Sequence, residues 1–194
     1  MRLFNTIALL LFLVLATHSA HAESFSMSVE IGSASSKVNN NNIVNQYTQL
    51  TPASSLSTDT STLFLSLGYK LDEYLSLGAD LLLSGAITAN ESGLSYKLFS
   101  TDTVSVYAKT QHTLNPRVTL FAKLGMHLWS LSENLASVGE LDDGVDITYG
   151  FGTSIDLYGG SNRQLQIQWN HYDYNGVYVD SQDVITVGIL FVFE

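Results

Sequence analysis

Val118-Thr119-Leu120-Phe121-Ala122-Lys123-Leu124-Gly125-Met126-His127-Leu128 is the stretch that decides the fold. Every second residue is apolar, and the residues between are polar, small or ring-bearing. That is the two-residue period of a strand with two unlike faces, and a helix would scatter both sets around its axis. The same period recurs on either side. Upstream it runs through Phe25, Met27, Val29 and Ile31, then Leu63, Leu65, Leu67 and Tyr69, then Leu75, Leu77, Ala79, Leu81 and Leu83, then Val104, Val106 and Ala108. Downstream it runs through Ile147, Tyr149, Phe151, Ile155 and Leu157, then Leu165, Ile167 and Trp169, then Ile185, Val187, Ile189, Phe191 and Phe193. The count is eight strands, several of them close to the ~9–11 residues that cross a bilayer at a steep tilt.

The composition agrees. Only 13% of the 194 residues are charged, against 45% hydrophobic, and soluble domains carry roughly 25% charged residues. The net charge is −10 with 8 basic residues, which excludes a nucleic-acid binder because few phosphates could be neutralised. The absence of cysteine excludes a disulfide scaffold and a cysteine metal site. The one long apolar run, residues 7–16, follows Arg2 and precedes Ala20-His21-Ala22. A basic start, a short apolar centre and small residues at a cut site make a cleavable signal peptide over residues 1–22. It is too short for a spanning helix, which needs ~20 residues. A single domain over residues 23–194 follows, one charge unit more negative once Arg2 is lost.

Two faces then have to be assigned. The apolar face is free of charge at the strand centres, as a lipid-facing wall requires, since Arg or Lys at the midplane costs about 2–4 kcal/mol. The other face carries Ser, Gly, Thr and Gln with Lys70, Lys97, Lys109, Arg117 and Lys123 against Glu30, Asp80, Asp146 and Asp156. Buried charges need partners, so Glu30, Lys70, Asp80, Lys109, Arg117, Lys123, Asp146 and Asp156 are expected to form a charge network inside the lumen. The architecture that fits is all-β: an eight-stranded antiparallel up-and-down transmembrane β-barrel. Short connections are expected at residues 71–73, 113–116 and 158–162, rich in Asp, Asn, Pro and Gly. Long outer loops are expected at residues 36–61, 86–94, 131–145 and 174–182.

Several segments resemble the OmpA-like transmembrane domain family. Leu120-Phe121-Ala122-Lys123-Leu124-Gly125-Met126-His127-Leu128-Trp129 is similar to its fifth strand, and Asp143-Gly144-Val145-Asp146-Ile147-Thr148-Tyr149-Gly150-Phe151-Gly152 to its sixth. Gln166-Ile167-Gln168-Trp169 resembles its seventh strand; Tyr69-Lys70-Leu71 with Leu75-Ser76-Leu77-Gly78-Ala79 resembles its second hairpin. Thr186, Gly188, Phe191 and Phe193 resemble the C-terminal signal read by the outer-membrane insertion machinery, with Glu194 following where the family ends on the aromatic. The resemblance implies residence in the Gram-negative outer membrane, lipid and lipopolysaccharide around the wall, and the insertion machinery and periplasmic chaperones as partners. A monomer is expected, and no peptidoglycan-binding domain. Where family members hold Arg and Glu on strand seven, this chain has Gln164 and Gln166, so an ion-pair gate would have to use the lumen charges named above.

No catalytic residue, cofactor or metal is expected. His112, His127 and His171 lack metal spacing, and read as two rim residues and one lumen residue (His127). A lipid A-modifying enzyme would need a Ser beside His171, and the next residues are Tyr172 and Asp173. A narrow pore is the other alternative, disfavoured because eight strands enclose a space that side chains fill. The expected role is structural: an envelope barrel displaying surface loops for adhesion or recognition.

Overall fold

The computed structural model describes residues 24–46, 55–91, 93–133, 140–157 and 162–193. The signal peptide, Glu194 and most of the expected turn at 158–162 lie outside the described residues. The strands are β1 (Ser24–Val38), β2 (Ser55–Ser57), β3 (Asp59–Lys70), β4 (Leu75–Ser84), β5 (Ile87–Glu91), β6 (Leu94–Asn115), β7 (Val118–Glu133), β8 (Glu140–Asp156), β9 (Arg163–Asp173) and β10 (Val179–Phe193). One helix, α1 (Asn40–Gln46), follows β1.

Eight strands close a ring in the order β1, β3, β4, β6, β7, β8, β9, β10 and back to β1. Every neighbouring pair is antiparallel, so the wall is an up-and-down barrel. Closure is what hydrocarbon demands, because an open sheet edge would leave unpaired N–H and C=O groups with no water to meet them. The closing seam pairs β1 with β10 from Phe25↔Phe193 to Val38↔Val179. At its inner end the Phe25 and Phe193 rings lie 6.0 Å apart.

The faces fall as the alternation requires. Val29, Ile31, Leu63, Leu77, Leu124, Met126, Phe151, Ile167 and Ile185 all point outward and are exposed, Ile31 at 66%. Their neighbours Ser28, Glu30, Ser66, Ser76, Asp80, Lys123, Gln166 and Gln168 are buried in the lumen. Above the outward apolar band, toward the outer end, sit Asp59, Asp102, Asp143, Asp173 and Asp183, where charges meet headgroups and water rather than acyl chains.

The outer ends differ from the expectation of long loops. Most of residues 86–94 is strand: β5 (Ile87–Glu91) continues beyond β4 and pairs with the outer half of β6 from Ile87↔Phe99 to Glu91↔Leu94, and Gly93 beside it has φ 81°. A side chain is strained at that φ. β2 adds to β5, and the segment 36–61 also holds the end of β1, α1 and the start of β3. The expected third loop shrinks too, since β7 runs to Glu133 and β8 begins at Glu140. The cause is burial. Ile43, Ile87, Ala89, Leu98, Phe99, Leu131 and Val179 join Phe64, Leu82, Trp129, Tyr172 and Tyr174 in one apolar cluster at the outer end. Removing that apolar surface from water favours an ordered cap over solvated loops.

Gly188 shows how tightly the seam packs. A Cβ there would lie 2.1 Å from the Val29 carbonyl oxygen and 2.5 Å from Glu30 Cα. The folded barrel is expected to migrate differently on gels before and after boiling. Gly188→Val should destabilise it by about 1–3 kcal/mol, seen as a lower urea midpoint in lipid vesicles; an unchanged midpoint would show that the seam can spread at no cost.

Candidate functional site

The lumen is the candidate site. Its chemistry is set by three facing strands, β1, β9 and β10, at the seam. Glu30 projects from β1 into a cage of neutral donors. Ser28 Oγ donates to Oε1 at 2.7 Å and Gln166 Nε2 at 2.8 Å. Gln168 Nε2 donates to both oxygens, at 2.9 and 2.8 Å, and Thr186 Oγ1 donates to Oε2 at 2.5 Å. The expectation of a cation partner for Glu30 therefore does not describe its surroundings. Hydrogen bonds to the charged form stabilise a carboxylate as a nearby cation would.

The ion pair lies across the lumen. Lys123 Nζ from β7 donates to Asp80 Oδ2 of β4 at 2.9 Å, with both side chains 4% exposed. The same ammonium stands 4.5 Å from the Tyr107 ring centroid and 5.1 Å from that of Phe64, so aromatic faces supply what Asp80 leaves unmet. The Tyr107 hydroxyl donates to the Leu67 carbonyl at 3.3 Å and meets Ser66 Oγ at 2.8 Å.

The remaining charges are spread along the axis. Lys109 sits nearer the inner mouth, 5.5 Å above the Phe121 ring, and Lys70 lines that mouth. Asp146 is at the outer end, accepting from Trp129 Nε1 at 2.8 Å, from the Asn175 amide at 3.0 Å, and from Asn175 Nδ2. Asp156 ends β8. Two residues read onto the lumen face lie elsewhere. Arg117 is exposed in the turn between β6 and β7, where Asn115 Oδ1 accepts its backbone amide at 2.9 Å. Lys97 is exposed on the outer hairpin. Parity placed them inward, but neither position belongs to the closed wall.

The C-terminal signal residues split between two faces. Thr186 and Gly188 face inward onto Glu30, while Phe193 is 50% exposed on the outer wall. Phe191 shares the outward face and pairs with Arg163 across β9–β10.

Above the charged layer the lumen becomes aromatic. His127 is fully buried, with the Tyr172 and Tyr174 ring centroids each 5.2 Å from its own in T-shaped contact. Among the described residues neither of its ring nitrogens has a side-chain hydrogen-bond partner. Trp129 packs on Tyr174 at 5.2 Å. Burial pushes the Tyr174 hydroxyl above the ordinary tyrosine range. The segment 174–178 is then tied down: Asp142 Oδ2 accepts the Val177 amide at 2.7 Å, and Asn42 Nδ2 of α1 donates to the Val177 carbonyl at 2.7 Å. Charged layer, aromatic layer and cap lie in series along the axis.

His171 is on the outer face, as its parity implies. Nδ1 lies 2.8 Å from Asp183 Oδ1 and Nε2 3.2 Å from Asp173 Oδ1, and the ring stacks on Trp169 at 5.9 Å. A carboxylate thus stands at each ring nitrogen of His171. Among the described residues no group of His, Asp and Glu is arranged to hold a metal. The residues that sequence reading did not single out are neutral ones: Ser28, Gln168 and Asn175. The alternation of Gln164, Gln166 and Gln168 on one strand face was the available signal for amide donors in the lumen.

Residues 6–193 match the family described as Outer membrane protein beta-barrel domain. Among solved structures, the Neisserial surface protein A is similar at 11% identity and a TM-score of 0.60, covering 88% of this chain and 97% of that one. OprG from Pseudomonas aeruginosa is similar at 13% identity and 0.58, with 89% and 97% covered. Ail, the attachment invasion locus protein of Yersinia pestis, in complex with the heparin analogue sucrose octasulfate, is similar at 16% identity and 0.52, with 86% and 99% covered. At these identities the likeness is one of fold. No curated protein matches the chain in sequence.

Asp80→Ala, which strands a buried ammonium, is expected to cost about 3–5 kcal/mol of unfolding free energy, whereas Asp80→Leu combined with Lys123→Met should regain most of it. Urea titration in vesicles measures both; equal losses would show that the stranded ammonium is not the source of the cost.

Proposed function

The chain belongs to the outer membrane protein beta-barrel domain family and resides in the Gram-negative outer membrane; from that premise we propose that it is a structural barrel that displays a folded outer cap for attachment or recognition. The observation that carries this reading is the cap itself. α1, β2 and the β5–β6 hairpin are ordered above a filled lumen by a shared apolar cluster. A transport path would not be built that way, and a display platform would.

Ail is an attachment protein of the same fold. Attachment is proposed for this chain on the strength of its cap. The partner class differs from a sulfated glycan, because the outward residues below the cap are Asp59, Asp102, Asp143, Asp173 and Asp183. Like charge would repel a polyanion. In this proposal lipid and lipopolysaccharide surround the wall and the chain is a monomer. Chaperones and the insertion machinery deliver it, reading Thr186, Gly188, Phe191 and Phe193. It has no catalytic role.

Replacing residues 40–57 with a short Gly/Ser linker tests the reading. Cells displaying the intact chain should adhere to host-matrix or neighbouring-cell surfaces, and cells displaying the trimmed chain should not, while the boiled-versus-unboiled gel shift persists. Neither should bind heparin. Equal adhesion of the two, or steady conductance of the intact protein in planar bilayers, would reject the proposal.

A further inference from the structure

Register places Lys109 and Lys123 directly opposite each other on β6 and β7, both facing the lumen. Like charges so paired are unfavourable. Lys123 is compensated by Asp80 at 2.9 Å. Lys109 has no carboxylate within ion-pair distance among the described residues: its ammonium lies 5.5 Å over the face of Phe121, and Asp80 and Glu30 act on it only at longer range. Toward the inner mouth its side chain borders a cavity of about 220 Å³, which Lys70 of β3 also lines. Apart from Leu190 and Val192 the rest of the lining is hydroxyl and amide, including Ser76, Thr119, Ser154 and Gln164, and it holds no carboxylate. Two cations and a set of neutral donors thus converge on one concave space at the end that carries the short turns. The space is several times the ~30 Å³ that one water occupies in the liquid.

We propose that this vestibule binds a tetrahedral oxyanion of the phosphate class, held between Lys70 and Lys109. Ammonium groups pair with phosphate as point charges, and Ser, Thr and Gln donors complete the shell around the remaining oxygens. Lysines without a contact ion pair on a low-dielectric wall favour an anion there more strongly than the same lysines would at an open surface. The chemistry is shared by free phosphate or a phosphate monoester from the periplasm and by a phospholipid headgroup of the inner leaflet. The site is independent of what the outer cap attaches to.

The test is amide NMR of the full mature chain in phosphate-free dodecyl maltoside, titrated with inorganic phosphate against chloride at matched ionic strength. Saturable shifts at Ser76, Thr119 and Gln164 are expected with phosphate alone, and their loss in the Lys70→Gln, Lys109→Gln double variant, which should keep its gel shift. Repeating the titration in nanodiscs separates the two sources. A response abolished by phosphatidylglycerol and kept in phosphatidylcholine assigns the site to a lipid headgroup; a response kept in both assigns it to free phosphate. Equal effects of phosphate and chloride, or an unchanged response in the double variant, would overturn the proposal. So would a phosphate response that emerges only after Glu23→Gln and Glu194→Gln, since the chain's own carboxylates would then be the occupant.

Discussion

The structure rests on one constraint: within hydrocarbon every backbone N–H and C=O must be paired inside the protein. A sheet meets it only by closing, and this one closes where β1 pairs with β10 along nearly the whole length of both strands. Once the ring is shut, alternation does the rest. One side of each strand faces lipid and must be apolar; the other faces a narrow lumen and must satisfy itself. The low charge and high apolarity of the chain follow from that division, with no spanning helix required.

An eight-stranded ring encloses a space that side chains have to fill. This chain fills it in layers. The inner mouth is left partly open and cationic. The middle holds one ion pair and one carboxylate stabilised entirely by neutral donors. The outer part is aromatic and apolar, continuous with the cap. The Glu30 cage also joins β1, β9 and β10, so it fastens the seam from within. Leaving a buried carboxylate without those donors would cost far more than any one of the bonds contributes.

Much of the wall was legible in the sequence, because a two-residue period reports which face each side chain takes. β7 reads directly from Val118 to Leu128. The cap was not legible, since its strands bury residues from both faces or in runs: Leu98 and Phe99 are adjacent and both buried. Nor was the pairing inside the lumen. Parity gives a face but not a register or a height, so Lys109 and Lys123 looked equivalent although only Lys123 reaches Asp80. Arg117 and Lys97 shared the inward parity while standing beyond the ends of the wall. Glu30 was expected beside a cation because charge is easier to see in a sequence than a cluster of amides and hydroxyls brought together from three strands.

The central claim is that β1 closes on β10 in the register that sets Val29 opposite Ile189. The chain has no native cysteine, so a paired substitution reads this cleanly. Val29→Cys with Ile189→Cys should form a disulfide in the outer membrane, and Val29→Cys with Ile185→Cys should not, since that register is two steps from closure on the same face. Cross-linking of the second pair in preference to the first, or of neither, would contradict the closed barrel in this register.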